Sequence, residues 1–327
     1  MSATITLKEL SKILGVSIST VSKALNDSHE ISTETKARIR ETAKLYNYQP
    51  NKIAMNLKSG KTDTIGVIIP NIQNYFFAEV LFGIEKVIAD SDYHIIVSIT
   101  NESLDKEVSA IDTFSNSLVD GFIVALAEET QVHKEFSHFH KVARLKKPMV
   151  MFDRVIKNFN CDKVLVNDDQ VLFDTTKKLL ASERKEIVLA TTIQNLSVGK
   201  SRAKGYLNAM ENGVQLEGTS ETIGMLIEKQ LISRPTDAII ALDEDASLAA
   251  IRVAKKLHKK IPKELAIIGY ASEKTASNLT PRLTTLNQQG ISIGEKAACM
   301  LLNKLRMGVS EITSEKVETT LVQRQTS

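Results

Sequence analysis

The feature that most restricts this chain is an alternation that begins near residue 63 and continues to its last residues. Short runs rich in Val, Ile and Ala are each followed by a longer run with apolar residues every three or four positions. The first pattern suits strands buried on both faces, and the second suits amphipathic helices. Strands are expected at residues 64–69, 94–99, 121–126, 149–152, 164–166, 186–190, 238–242, 265–270 and 316–322. Helices are expected at 76–89, 104–115, 131–144, 171–181, 200–210, 221–231, 246–257 and 292–306. Strand–helix alternation of this kind gives parallel sheets covered by helices on both faces. About 265 residues exceed what one core holds, so two doubly wound α/β subdomains are expected. Such sheets bind ligands beyond the carboxyl ends of their strands, which places a pocket in the cleft between the subdomains.

The residues before 63 follow different rules. Thr6 is a plausible N-cap for a helix over 7–14, Gly15 a stop, and Ser17 the cap of a second helix over 18–25. A third helix is expected from Ser32 to about Tyr46. Two short helices joined by a glycine turn, with a third behind, make a helix-turn-helix. Charge agrees: the whole chain carries +3, but residues 1–61 hold ten basic and five acidic side chains, leaving −2 on the remainder. A basic head on a neutral body points to nucleic acid. The second helix exposes Ile18, Ser19, Ser22 and Lys23. Ile18 suits a thymine methyl and Lys23 reaches guanine O6/N7, while the Thr20 and Ser22 hydroxyls suit phosphate oxygens.

The tokens Gly15-Val16-Ser17, Thr20-Val21-Ser22, Leu25-Asn26, Tyr48 and Pro50-Asn51 resemble the DNA-binding head of the LacI/GalR family of transcription regulators. The resemblance extends over nearly the full length. It implies an all-α helix-turn-helix head over 1–50, a hinge helix and linker over 51–62, and a periplasmic-binding-protein-like core over 63–327. One subdomain would take about 63–162 plus 290–317, the other about 163–289 plus 318–327. By resemblance Ile18, Ser19 and Lys23 read bases, and Thr6, Thr20, Ser22, Asn26 and Tyr48 lie against the DNA backbone. Leu57, flanked by Ala54 and Lys58, matches the residue that wedges into the minor groove. An eight-residue hinge helix is marginal alone, so it would fold only when paired on DNA. Met55 stands where the family usually has arginine.

In the core, the resemblance implies effector contacts from Phe76, Phe77, Asp153, Arg154, Asp168, Arg202 and Asp243. The residue types fit: aromatic faces stack on rings, carboxylates take sugar hydroxyls, and the arginine fork grips oxygens. Core packing is the structural alternative for Phe76 and Phe77, one of which would take it, a surface ion pair for Asp153 and Arg154, and an N-cap for Asp168. Two departures stand out. Ala271 replaces a common family aspartate, and residues 213–224 are too short for the edge strand usually found there, so that strand and one pocket wall are expected to be missing.

Other classes fare worse. Two cysteines cannot make a disulfide framework or a cysteine-rich zinc site, and no apolar run reaches a membrane span. The first ten residues lack a secretory signal, so a cytoplasmic protein is expected. No Gly-x-Gly-x-x-Gly, no complete Gly-x-x-x-x-Gly-Lys-Ser/Thr loop and no His-Glu-x-x-His is present, so no enzyme, cofactor or metal is expected. His133, His138 and His140 read as helix surface. A periplasmic sugar-binding protein would explain the core alone. The expectation is a dimeric, effector-controlled repressor acting on a pseudo-palindromic operator, with a sugar or sugar derivative as effector. An effector-independent or co-repressor-dependent regulator with a degenerate pocket is the alternative.

Overall fold

The computed structural model describes residues 5–48, 61–116, 118–308 and 311–327. The hinge expectation at Ala54, Leu57 and Lys58 lies outside the described residues. The chain divides into two units, Met1–Thr62 and Asp63–Ser327.

The first unit holds α1 (Leu7–Leu14), α2 (Ile18–Leu25) and α3 (Thr33–Leu45). Local chemistry sets their limits. Thr6 caps α1 in a reciprocal box with Glu9, while Ser17 and Ser32 accept from the backbone N–H of Thr20 and Thr35. Gly15 ends α1 at φ +68°, a conformation that costs glycine least. Leu10, Val21, Ala24, Ile39 and Ala43 form the small buried centre.

The second unit contains two six-stranded sheets. The strands of the first are β1 (Thr64–Ile69), β2 (His94–Ile99), β3 (Gly121–Val124), β4 (Met149–Phe152), β5 (Asp162–Val166) and β11 (Ser314–Val317), in the order β11-β5-β4-β3-β1-β2, all parallel. The second sheet is built from β6 (Ile187–Thr191), β7 (Val214–Glu217), β8 (Ala238–Ala241), β9 (Ala266–Gly269), β10 (Thr284–Asn287) and β12 (Thr320–Val322), in the order β12-β10-β9-β8-β6-β7. Its edge strand β12 runs antiparallel to β10. The covering helices are α4 (Tyr75–Ile88), α5 (Leu104–Ser115), α6 (Glu128–His133), α7 (Ser137–Arg144) and α8 (Asp168–Ala181). They continue with α9 (Ser197–Ala209), α10 (Ile223–Ser233), α11 (Glu244–Lys256), α12 (Glu273–Asn278) and α13 (Gly290–Met307). The central strands β3, β4, β6 and β8 are buried along their whole length, as two-sided coverage requires. Helices α4 and α13 approach so closely that a Cβ on Gly294 would lie 2.0 Å from the Val80 carbonyl oxygen.

Several expectations are corrected. The strand thought missing between residues 213 and 224 exists: β7 pairs with β6 at the sheet edge, half-exposed and therefore weak in apolar signal. The helix expected over 131–144 is two, because Lys134 takes a left-handed turn at φ +55°. The strand expected over 316–322 is also two, β11 in one sheet and β12 in the other. β5 belongs to the first sheet, so the chain crosses after Val166 rather than near residue 162.

Three crossings join the sheets, near Asn167, Gln289 and Thr319. They are tied to each other. The Asn167 side-chain oxygen accepts from the Thr319 backbone N–H at 2.7 Å, and the Gln289 amide donates to the Thr320 hydroxyl at 3.1 Å.

Candidate functional site

In the first unit α2 presents one face to solvent. Ile18 is 46% exposed on that face. Ser19 and Lys23 are exposed beside it. Ser17 anchors the helix start, its hydroxyl 2.7 Å from that of Ser19 and 2.8 Å from that of Thr20. Lys23 pairs with Glu30, an exposed partner that a phosphate or base can displace at low cost. Ser22 is half-buried and Asn26 is the exposed C-cap of α2. Thr6 serves α1 through its cap. Tyr48 packs against the small core, its N–H bonded to the Ala43 carbonyl at 2.8 Å.

In the second unit, a cleft opens between the two sheets. Its lining takes Phe76, Phe77 and Glu79 from α4 and Asp153 and Arg154 from the end of β4. Arg202 of α9 and the turns after β8 and β9 supply the rest. Six of the seven residues expected there by resemblance line it: Phe76, Phe77, Asp153, Arg154, Arg202 and Asp243. The seventh, Asp168, is paired with Arg202.

The cleft chemistry is built around two buried arginines. Arg202 donates from Nε to Asp168 Oδ1 at 2.9 Å and from Nη1 to the Leu242 carbonyl at 2.7 Å. Its guanidinium lies 4.0 Å from the Tyr270 ring centroid. Burial works against its charge most strongly, but Asp168, Tyr270 and Asp153 together outweigh it and hold the guanidinium pKa above its usual range. Burial raises the pKa of Asp168 in turn, and Arg202 pulls it back. Arg154 donates to Glu102 Oε2 at 2.6 Å and lies 5.4 Å from the Phe77 ring centroid. Phe77 itself is core, packed edge-on against Phe152, whereas Phe76 is half-buried.

Asp153 differs from its neighbours. It sits at φ +56°, with a side chain only 6% exposed, and its Oδ1 has no hydrogen-bond partner among the described residues. Burial pushes its carboxyl up to about 6, against the pull of Arg154 and Arg202. Asp243 has the opposite character. It caps α11 through Ala246 N–H at 2.9 Å and accepts from Thr192 N–H at 2.7 Å and its hydroxyl at 3.0 Å. It therefore positions the turn after β8 more than it offers free acceptors.

Two features escaped sequence reasoning. His138 is buried, not helix surface: its Nε2 is 2.8 Å from Glu107 Oε1, and Glu107 also accepts from Ala127 N–H and the Thr130 hydroxyl. A helix wheel cannot show this, since the partners are 20 to 31 residues apart. The spacing Gly290-Ile291-Ser292-Ile293-Gly294 has the form Gly-x-Ser-x-Gly, yet it opens α13 and its last glycine serves helix contact.

Residues 62–325 match the family described as periplasmic binding proteins and sugar binding domain of the LacI family, and residues 6–51 match bacterial regulatory proteins of the lacI family. Catabolite control protein A of Priestia megaterium is 27% identical, with 98% of this chain and 96% of that protein covered. The ribose operon repressor of Haemophilus influenzae is also 27% identical, covering 98% of each. Among solved structures, the lac repressor dimer bound to operator and the anti-inducer ONPF is 19% identical, with a TM-score of 0.86 over 99% of each chain.

Proposed function

This chain belongs to the LacI family of bacterial regulatory proteins, a DNA-binding regulator, and from that premise we propose which residues bind DNA and which bind the effector. Ile18, Ser19 and Lys23 read the operator, while Thr6, Thr20, Ser22, Asn26 and Tyr48 support contact with its backbone. The assignment of Ala54, Leu57 and Lys58 to the minor groove rests on sequence resemblance alone. A small molecule occupies the cleft, held by Asp153 and Arg202 and faced by Phe76. Asp168, Arg154 and Asp243 position those groups. The protein acts as a homodimer, because one head reads one half-site. The ribose operon repressor among its relatives makes a sugar the natural effector class.

The observation that carries this reading is the unpartnered, buried Oδ1 of Asp153 in the cleft. A buried acceptor left unsatisfied costs about 1–3 kcal/mol, which a ligand hydroxyl would recover. Rotation at the three tied crossings then links cleft occupancy to operator affinity. The test is selection of palindromic DNA by the full chain, followed by a thermal-shift screen of sugars. Stabilisation that Arg202→Ala retains would place the effector elsewhere.

A further inference from the structure

Taking that cleft as the effector site, the distribution of charge within it narrows the ligand. The lining contains two cations, Arg154 and Arg202, and five carboxylates: Glu79, Asp153, Asp243, Glu244 and Glu273. Neither cation is free to neutralise an anion. Asp168 offsets Arg202 at 2.9 Å, and Glu102 offsets Arg154 at 2.6 Å. Both guanidiniums also spend N–H groups on carbonyls, those of Leu242 and Leu126. Two cleft carboxylates are paired with cations, Glu273 with Arg324 and Asp153, through Oδ2 at 3.9 Å, with Arg154. Glu79 is half-buried, and its carboxyl is held above the usual range by burial and then by the charge of Glu273. The unpartnered Asp153 Oδ1 is a pure acceptor while ionised and lies in a side chain 6% exposed.

An anionic ligand entering here would lose its hydration and meet five carboxylates and two guanidiniums whose charges are already offset. The one buried guanidinium N–H of the cleft without a hydrogen-bond partner among the described residues, Arg154 Nε, belongs to a group that Glu102 neutralises. A ligand rich in O–H or N–H donors would meet acceptors that are already fixed. We propose that the effector is a sugar carrying no anionic group, neutral or amine-bearing, and that the cleft rejects sugar phosphates and sugar acids. Asp153 takes a hydroxyl or ammonium of that ligand. Rejection follows from Asp168 and Glu102, which cancel the two charges that would otherwise grip a phosphate or carboxylate.

The test is isothermal titration and native mass spectrometry of the full chain with matched sets. Ribose, glucose, glucosamine and cellobiose are set against ribose 5-phosphate, glucose 6-phosphate, glucosamine 6-phosphate and gluconate. At least one non-anionic member should bind, each phosphorylated or acid partner should bind at least 10-fold more weakly, and Asp153→Asn should cost about 10- to 100-fold. A sugar phosphate or acid that binds best, with Arg202→Ala abolishing it, overturns the charge argument but leaves the cleft as effector site. A binder indifferent to both Asp153→Asn and Arg202→Ala overturns the cleft assignment as well. Absence of any binder in the panel at 10 mM, a ceiling of roughly 3 kcal/mol of affinity, counts against both.

Discussion

Asp168→Ala isolates the physical basis of the cleft. Asp168 and Arg202 lie 2.9 Å apart with side chains 3% and 4% exposed, so neither charge has water to fall back on. Removing one partner of a buried pair leaves the other charge uncompensated, typically at 3–5 kcal/mol. Arg202 keeps the Leu242 carbonyl and the Tyr270 ring, but both contacts exist in the wild type too and so offset none of the loss. The lower bound of that range, about 3 kcal/mol, is therefore the minimum expected. For a folded unit of this size each kcal/mol moves Tm by about 2–4 °C, so that minimum corresponds to a fall of roughly 6–12 °C. Urea unfolding followed by circular dichroism gives the free energy, and calorimetry the Tm. The double variant Asp168→Leu/Arg202→Met should recover at least half the loss, because an apolar pair needs no compensation. A single-variant cost under about 1 kcal/mol, or a double variant worse than the single, would refute the claim that the pair is buried and mutually dependent.

Other outcomes follow from the same contacts. Asp153 titrates near 6 in the folded chain against an ordinary value of 3.8, so it binds its proton more readily when folded. Its contribution to stability is full below about pH 4 and lost as pH rises through 6. Asp153→Asn should therefore be more stable than wild type above pH 7, by on the order of 2–3 kcal/mol, with the gap closing below pH 4; a gap independent of pH would contradict the assignment. Lys23→Ala should weaken operator binding about 5- to 150-fold and relax preference at one base position; an equal loss on random DNA would make Lys23 a backbone contact. Gly294→Ala places a methyl 2.0 Å from the Val80 carbonyl and should destabilise by more than 3 kcal/mol. Gly15→Ala meets open space and should cost only about 1 kcal/mol of left-handed strain, both read by Tm.

The legible parts of this chain were those whose causes are local. Thr6, Gly15 and Ser17 bound α1 and α2 through contacts within three residues, so the spacing placed both helices at their observed limits. The buried strands β1, β3 and β8 announced themselves by continuous apolar runs. β7 was invisible because none of its side chains is fully buried and its identity depends on pairing with β6. β11 and β12 read as one strand by composition, and only the resemblance, which divides the subdomains at 317/318, marks the crossing at Thr319, which Asn167 holds from 152 residues away. In the cleft, residue types suggested which groups gather there, but not their commitments. That Arg202 is neutralised, Asp243 satisfied and Asp153 left with an open acceptor depends on partners remote in sequence.

The central claim is that cleft occupancy sets operator affinity through Asp153 and Arg202. The direct measurement is fluorescence anisotropy of a selected palindromic operator, titrated with and without the bound sugar, for wild type and for Asp153→Asn. The ratio of the two operator Kd values should be about 5- to 150-fold in the wild type and should collapse toward one in the variant at the same sugar concentration. An unchanged ratio in the variant would contradict the account.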